Sequence, residues 1–316
     1  MNYDKFRFEA VVDWIDLEIE TITSTQAWRI QKATDISFVA ACNLHTRKAH
    51  PKGSANTPST LFRLRIQEPK KWADVAKLIN DVADNFPLAA APTVCGIELA
   101  FDAYCKGEPS QQELAELIVH MFRRIKRFAD RDANPDFKDN RRLYKDFKGS
   151  RENIPVHEES FIRYLIDGYQ IGIGREDADH YQHLYLKTTD KKPGEERRTL
   201  MPHDQHARFE NRLQGDMLPC HSIAEWSAFK FEDLAKYFQF RTLKNEDGLL
   251  PQLLLSRGYV GEELSKEKQE KLRRKHRSGT LTVSDLRDAA RYKLRDLSKR
   301  WKVKRSSTMR KSGAKS

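Results

Sequence analysis

The feature that most constrains the fold is the alternation of apolar and polar residues in several separate runs. Residues 8 to 21 read FEAVVDWIDLEIET, where Ile15, Leu17 and Ile19 alternate with acidic side chains. Successive side chains of a β-strand point to opposite faces, so this run predicts a strand with one apolar and one polar face. The other runs that predict strands are 60–67, 96–104, 160–174, 180–187 and 207–214.

Helical periodicity separates these runs. Apolar residues recur at helical spacing in residues 72–86, and residues 108–129 form an amphipathic pattern with Ser110 as the expected N-cap. Shorter helical patterns occupy residues 25–34 and 222–240, whereas residues 130–160 are charged and irregular and predict a long surface connection. The fold class expected is α+β, with antiparallel-rich sheets and packed helices. A weak internal echo suggests two related halves, 1–130 and 155–240.

The charge is divided unevenly along the chain. The net charge is +11, yet residues 266–316 hold 19 Lys and Arg against 5 Asp and Glu. We therefore expect a body at 1–240 and a basic helical extension at 241–316 with a disordered C-terminal tail. Such asymmetry favours a polyanionic partner, most simply nucleic acid, over a merely solubilising tail. The basic residues expected to contact DNA there are Arg273, Arg274, Lys275, Arg300, Lys302, Lys304 and Arg305.

Other sequence features exclude a membrane or secreted protein. No apolar run approaches the roughly 20 residues that span a bilayer, and the N-terminal MNYDKFRFEAVVDW is too polar for a signal peptide. The four cysteines show no CxxC spacing, so we expect free thiols. A cytoplasmic protein of a bacterial cell is the expectation.

Acidic residues in the predicted strands suggest a metal site. Glu98 and Asp102 lie four apart in GIELAFDAY and share a face, and Glu210 lies in ARFENRLQ. Acids gathered on one face repel each other unless a cation is present, and Mg²⁺ or Mn²⁺ takes carboxylate oxygens. Spacing alone favours the alternative, in which these acids pair with nearby arginines. The arginines available are Arg63, Arg65, Arg208 and Arg212.

A second polar face belongs to the run HYQHLYLK. Tyr181, His183, Tyr185 and Lys187 occupy every other position, so they share one face of the strand. A tyrosine attacks phosphate when a base or metal activates it, and a neighbouring lysine stabilises the charge of the transition state. The alternative is that these tyrosines are simply half-buried sheet residues.

Histidines raise a competing metal hypothesis. His180 with His183, and His203 with His206, form two HxxH pairs that are suggestive of zinc. Residues three apart on a strand point to opposite faces, so His180 and His183 should not converge. A zinc-stabilised interaction module therefore stands as a third hypothesis.

The ordered motifs together resemble the replication initiators of small rolling-circle plasmids and some filamentous phages. The segments that carry the resemblance are VVDWIDLEIET, GIELAFDAY, YQIGIGREDADHYQHLYLK and ARFENRLQG, within residues 11–240. The resemblance implies a metal-dependent nicking-closing enzyme whose tyrosine cuts one strand at an origin, keeps the 5′-phosphate and leaves a 3′-hydroxyl primer.

The resemblance also implies site residues. Tyr185 falls on the nucleophile with Lys187 after it, and Tyr181 is a second candidate. Metal ligands implied are Glu98, Asp102 and Glu210, with His183 as a departure from the usual arginine that suggests an imidazole ligand. Arg175 approximately matches the arginine of the family's turn strand, and Arg208 and Arg212 are the other arginines of the body that we expect to contact DNA.

The partners expected are duplex and single-stranded origin DNA, with a host helicase and a second copy of the chain as further possibilities. The alternative function is a non-catalytic origin binder or repressor, which would tolerate loss of Tyr185.

Overall fold

The computed structural model describes eleven stretches of the chain. They are residues 1–34, 36, 38–44, 56–125, 141–145, 151–152, 154–155, 157–190, 196–243, 280–282 and 284–302. Of the predicted DNA contacts, Arg273, Arg274, Lys275, Lys304 and Arg305 lie outside these residues.

Thirteen strands and six α-helices occur in the described part of the chain. The strands are β1 Phe6–Thr25, β2 Phe38–Ala41, β3 Ser59–Gln67, β4 Thr93–Cys105, β5 Arg141–Tyr144, β6 Arg151–Glu152, β7 Gln170–Ile173, β8 His180–Lys187, β9 Thr189–Asp190, β10 Arg198–Thr199, β11 His206–Gln214, β12 Arg241–Leu243 and β13 Thr280–Thr282. The helices are α1 Ala27–Ala33, α2 Trp72–Asn85, α3 Gln111–Arg124, α4 Glu158–Ile166, α5 Ile223–Ser227 and α6 Ser284–Trp301. Short 3-10 helices cover Tyr3–Lys5, Pro202–Asp204, Gly215–Met217 and Phe231–Tyr237.

Nine strands form one antiparallel sheet, and the predicted α+β class is confirmed. The strand order is β2-β3-β1-β4-β11-β8-β7-β5-β6. The apolar side of the alternating runs is the core face: Ile15, Leu99, Phe209 and Leu184 are fully buried there. Helix α3 packs against β4, β8 and β11, and its N-cap is Ser110, as predicted, whose side chain accepts a hydrogen bond from the Glu113 amide. The opposite face carries the polar side chains.

The chain between residues 130 and 174 departs from the sequence prediction. The expected long connection contributes β5, in which Leu143 and Tyr144 are buried, and the two-residue strand β6. The expected strand at 160–174 is helix α4 followed by the short strand β7. Phe161, Ile162 and Leu165 are the buried side chains of α4, and this spacing of one and four residues is helical. The predicted helix at 222–240 is likewise only α5 and a 3-10 helix.

The long strand β1 changes the phase of its alternation in the middle. Val12 pairs with Leu99 and Trp14 pairs with Glu98, so Asp13 is the extra residue of a β-bulge. Even-numbered residues up to Val12 face the core, whereas odd-numbered residues from Ile15 onward do. The bulge therefore brings Asp13 and Trp14 to the polar face together.

Helix α6, from the predicted extension, packs onto the same core. Its buried residues recur every three or four positions, and the helix lies against β1 and the 3-10 helix at Phe231–Tyr237. Trp301 is fully buried and its Nε1 donates to the Trp226 carbonyl oxygen at 2.9 Å. None of the helices in the described part of the chain is long and apolar enough to cross a membrane.

Candidate active site

The candidate site lies at the centre of the polar face, where β4, β11 and β8 adjoin. Antiparallel pairing sets their polar side chains in cross-strand rows, because directly opposite residues share a face. The three rows are Glu98–Arg212–Tyr181, Ala100–Glu210–His183 and Asp102–Arg208–Tyr185. The middle row has only the Ala100 methyl group on β4, so β4 places no polar side chain opposite Glu210.

Three carboxylates converge near the middle row. One oxygen each from Asp13, Glu98 and Glu210 lies within 4.8 Å of the others. Glu98 and Glu210 are buried, and Asp13 is half-buried. Oxygen-only ligands are the set that Mg²⁺ and Mn²⁺ prefer, so these residues are the ones that could hold a divalent cation. This is the one group of three or more metal-ligating side chains found in the described part of the chain.

Arginines engage the acids, as the alternative reading of the sequence anticipated. Arg208 binds Asp102 through two hydrogen bonds of 2.8 Å and reaches Asp13 at 2.7 Å. Arg212 Nε donates to Glu98 Oε2 at 3.0 Å. Asp13, Glu98, Asp102 and Glu210 nevertheless outnumber the two guanidinium groups, which leaves an excess of two negative charges if all four acids are ionised. A divalent cation would balance that excess.

The pKa values reflect this crowding. Burial, with repulsion from Asp13, raises the pKa of Glu210 to about 7, although Arg208 opposes the rise. Burial and repulsion from Glu210 likewise raise the pKa of Glu98, and Arg212 opposes it. Burial lowers the pKa of His183 to about 4, so this imidazole is neutral near pH 7. The raised pKa values of Glu98 and Glu210 indicate that Arg208 and Arg212 only partly offset the burial of these carboxylates and the repulsion between the acids.

Tyr185 is the tyrosine in contact with the acid cluster. Its Oη donates to Glu210 Oε1 at 2.8 Å, and the ring is half-buried. Burial, and then the charge of Glu210, hold the pKa of the Tyr185 phenol well above its ordinary value. A base that can take the phenolic proton is thus already hydrogen-bonded to it.

Tyr181 occupies a different environment on the same face. It is fully buried, and its hydroxyl is 2.8 Å from the hydroxyl of Tyr144 on β5. Burial raises its pKa to about 12. Because Tyr181 contacts neither the acid cluster nor solvent, its geometry fits a structural role between β5 and β8.

The histidine and lysine candidates have protein partners. His183 Nδ1 lies 3.1 Å from Glu210 Oε2, and its Nε2 lies 2.9 Å from Gln170 Oε1, so it orients Glu210. His180 contacts Asn211 on the other face, and the two HxxH pairs form no group of metal ligands in the described part of the chain. Lys187, two residues beyond Tyr185 on β8, forms an ion pair with Asp190 at 3.3 Å.

The predicted DNA contacts are scattered. Arg208 and Arg212 are engaged by the acids of the site, and Arg175 forms an ion pair with Asp177 in the turn between β7 and β8. Arg300 donates to the Ala10 carbonyl oxygen of β1 at 2.9 Å, while Lys302 is exposed.

Two residues of the site were not identified from the sequence. Asp13 supplies the third carboxylate, and Trp14 Nε1 donates to Glu98 Oε1 at 2.7 Å. The signal for both was the phase change in β1, where apolar residues at even positions give way to apolar residues at odd positions. Such a change marks a bulge, and bulges re-aim side chains.

Comparison with known proteins finds a distant likeness to a solved structure. No protein-family model matches the chain, and no curated protein matches it. Among solved structures, the chain is similar to the rolling circle replication initiator protein from Geobacillus stearothermophilus. The alignment covers 82% of this chain and 100% of that chain, at 13% identity and a TM-score of 0.35. At that level the likeness supports no assignment of site residues.

Proposed function

We propose that the protein is a replication initiator that nicks one DNA strand at an origin with Tyr185 as the nucleophile. The observation that supports this function is the 2.8 Å hydrogen bond from Tyr185 Oη to Glu210, a member of the three-carboxylate cluster. A purely structural role rarely accounts for a buried cluster of acids next to a tyrosine. Phosphodiester cleavage uses both the acids and the tyrosine.

In the proposed step, the Tyr185 oxygen attacks the scissile phosphorus. An O–P bond forms to the tyrosine while the bond from phosphorus to the 3′ oxygen breaks, so the 5′-phosphate stays on the protein. The phenolic proton passes to Glu210 Oε1, which already accepts the hydrogen bond of the phenol. The leaving 3′ oxygen takes a proton from water and becomes the primer hydroxyl.

The carboxylate set fits a divalent cation. Asp13, Glu98 and Glu210 would hold Mg²⁺ or Mn²⁺, which supplies charge stabilisation to the phosphate when bound. Trp14 and Arg212 each donate to one oxygen of Glu98, and His183 contacts Glu210, so three neighbours fix the directions of these carboxylates. In this assignment Asp102 is not a ligand, because its carboxylate is not among the three that converge.

The expected partners follow from this activity. Origin DNA is the substrate, in single-stranded form at the nick. We place the boundary between the nicking domain and the basic extension at residue 241. A host helicase and a second copy of the chain are further proposed partners, and the proposed setting is the cytoplasm of a bacterial cell.

Covalent capture of DNA tests the function. The protein is incubated with Mg²⁺ or Mn²⁺ and labelled single-stranded oligonucleotides tiling its own replicon, and denaturing gels are read for protein–DNA adducts. We expect an adduct that Tyr185→Phe abolishes and that chelation prevents.

Tyr181→Phe is the matched control, because it removes one hydroxyl from the same face and should keep most of the adduct. Retention of the adduct in Tyr185→Phe would exclude this nucleophile. Failure of the wild-type protein on every oligonucleotide, with duplex binding intact, would favour a non-catalytic origin binder.

A further inference from the structure

Helix α6 carries a row of basic side chains on its exposed surface. The basic row consists of Arg287, Arg291, Arg295 and Lys299, spaced four residues apart, and all four are exposed. Side chains four apart form a ridge along a helix, and at 1.5 Å per residue this ridge is about 18 Å long. The row is thus a line of positive charge rather than a scattered set.

The position of the helix in the fold makes this row a fixed surface. Leu286, Ala290, Leu294 and Leu297 on the opposite side are buried in the core against β1 and the neighbouring 3-10 helix. Arg300 ties the end of the helix to the Ala10 carbonyl oxygen. A ligand that contacts the row would therefore be oriented with respect to the sheet that carries the candidate active site.

The acidic neighbours of the row leave its charge available. Arg287 pairs with Asp288 at 3.0 Å and Lys299 with Asp296 at 3.3 Å, but these side chains are largely exposed and such pairs exchange easily for a phosphate. Arg291 and Arg295 have no carboxylate partner among the residues that the structure describes. Arg295 instead lies 5.4 Å from the centre of the exposed Tyr292 ring.

We infer that the basic row of α6 binds the phosphate backbone of duplex DNA. A straight ridge of charge matches a stiff double helix, whose phosphates present a regular line. Single-stranded nucleic acid is held mainly by stacking on aromatic rings, and Tyr292 is the one aromatic side chain on this face. An anionic membrane would require several apolar side chains beside the charges, and Tyr292 is the one large side chain of that kind on the exposed face of the described helix α6. Binding of duplex DNA by this surface does not depend on cleavage.

The salt dependence of binding tests the inference. The variant R287Q/R291Q/R295Q/K299Q keeps good helix formers, and its affinity for a 30-bp duplex is measured at several salt concentrations by fluorescence anisotropy. Each phosphate contact contributes about 0.9 to the slope of log K against log salt, so we expect the slope to fall by about 3.6. The control variant K145Q/R163Q/R197Q/R198Q removes four exposed basic side chains at or next to β5, α4 and β10, whereas α6 packs on β1 and the 3-10 helix at Phe231–Tyr237, so it should leave the slope unchanged.

Circular dichroism and thermal unfolding check that both variants fold. A slope change below about 1, an equal change in the control, or a change seen only with single-stranded DNA or anionic vesicles would overturn the inference. Adduct formation on single-stranded oligonucleotides should persist in the α6 variant, and Tyr185→Phe should bind duplex with the wild-type slope. If no adduct forms, the salt dependence still tests duplex binding by the basic row. If the basic row does not bind duplex DNA, the adduct assay still tests cleavage.

Discussion

At the scale of a single residue, substitution of Asp13 tests whether the acid cluster binds a divalent cation. We expect Asp13→Asn to weaken Mn²⁺ binding by about tenfold or more, because it removes one of three converging carboxylates. Isothermal titration with Mn²⁺ measures this, and adduct formation should fall in parallel. Glu9→Gln is the control, since Glu9 lies on the same strand but is paired with Arg7 at the surface. Equal affinity in wild type and Asp13→Asn would remove Asp13 from the site.

Trp14 offers a second residue-scale prediction. Trp14→Phe keeps a ring over Gly96 and beneath the Arg65 guanidinium but removes the donor to Glu98 Oε1. A buried carboxylate that loses one hydrogen bond costs about 1–3 kcal/mol, so urea unfolding should show a loss of that size. Mn²⁺ binding should weaken as well, since Glu98 is then less firmly oriented. Unchanged metal affinity would mean that Arg212 alone orients Glu98.

At the scale of elements, the close packing of β7 against β8 makes Gly172 sensitive. A methyl group there would lie 2.5 Å from Tyr181 Oη and 3.1 Å from a ring carbon of Tyr144. Gly172→Ala should therefore separate the two phenols and destabilise the protein by about 1–3 kcal/mol in urea unfolding. Gly107→Ala, where a methyl group meets no atom within 4 Å, is the matched control and should change stability little. Equal stabilities of the two variants would show that β8 shifts without cost.

The elements also show what the sequence could and could not predict. Period-two alternation located β1, β3, β4, β8 and β11, because each of them has one face on the core. It could not show that α4 is a helix, since Phe161 and Leu165 lie in a run too short to establish a period. Strand β5 has only four residues and lies in a charged region, so its two buried apolar side chains gave little pattern. Glu98 and Glu210 were found because they obey the alternation, and Asp13 was missed because the bulge breaks it.

The packing of α6 bears on the whole molecule. Trp301 is enclosed by Trp72 and Phe231 at ring-centre distances of 5.9 and 5.2 Å. Trp301→Ala should cost about 3–5 kcal/mol and lower the single unfolding transition of the chain, because the helix shares the core of the sheet. Tyr292→Ala, on the exposed side of the same helix, should cost little. A separate low transition for α6 would instead support an independently folding extension.

The charge balance of the whole site predicts how metal and pH act together on stability. The pKa of Glu210 is about 7 in the folded chain, whereas an unfolded glutamate has a pKa near 4.3. The folded state therefore holds a proton that the unfolded state has lost between these values, so this carboxyl lowers the metal-free stability as pH rises through 7. A bound cation favours the ionised form and removes that cost. Metal should stabilise the protein more at high pH than at low pH.

Thermal unfolding with and without Mn²⁺ at pH 5.5 and pH 8 measures this coupling. We expect the rise in Tm produced by Mn²⁺ to be roughly twice as large at pH 8, because protons no longer compete for the carboxylates. Half-buried His120 and buried His180 have lowered pKa values of about 3 and about 4, so acid weakens the fold with or without metal, and only the difference in Tm isolates the site. Glu210→Gln should flatten the pH dependence of that difference. If Mn²⁺ raises the Tm by the same amount at both pH values, Mn²⁺ binding does not depend on the ionisation of the acid cluster.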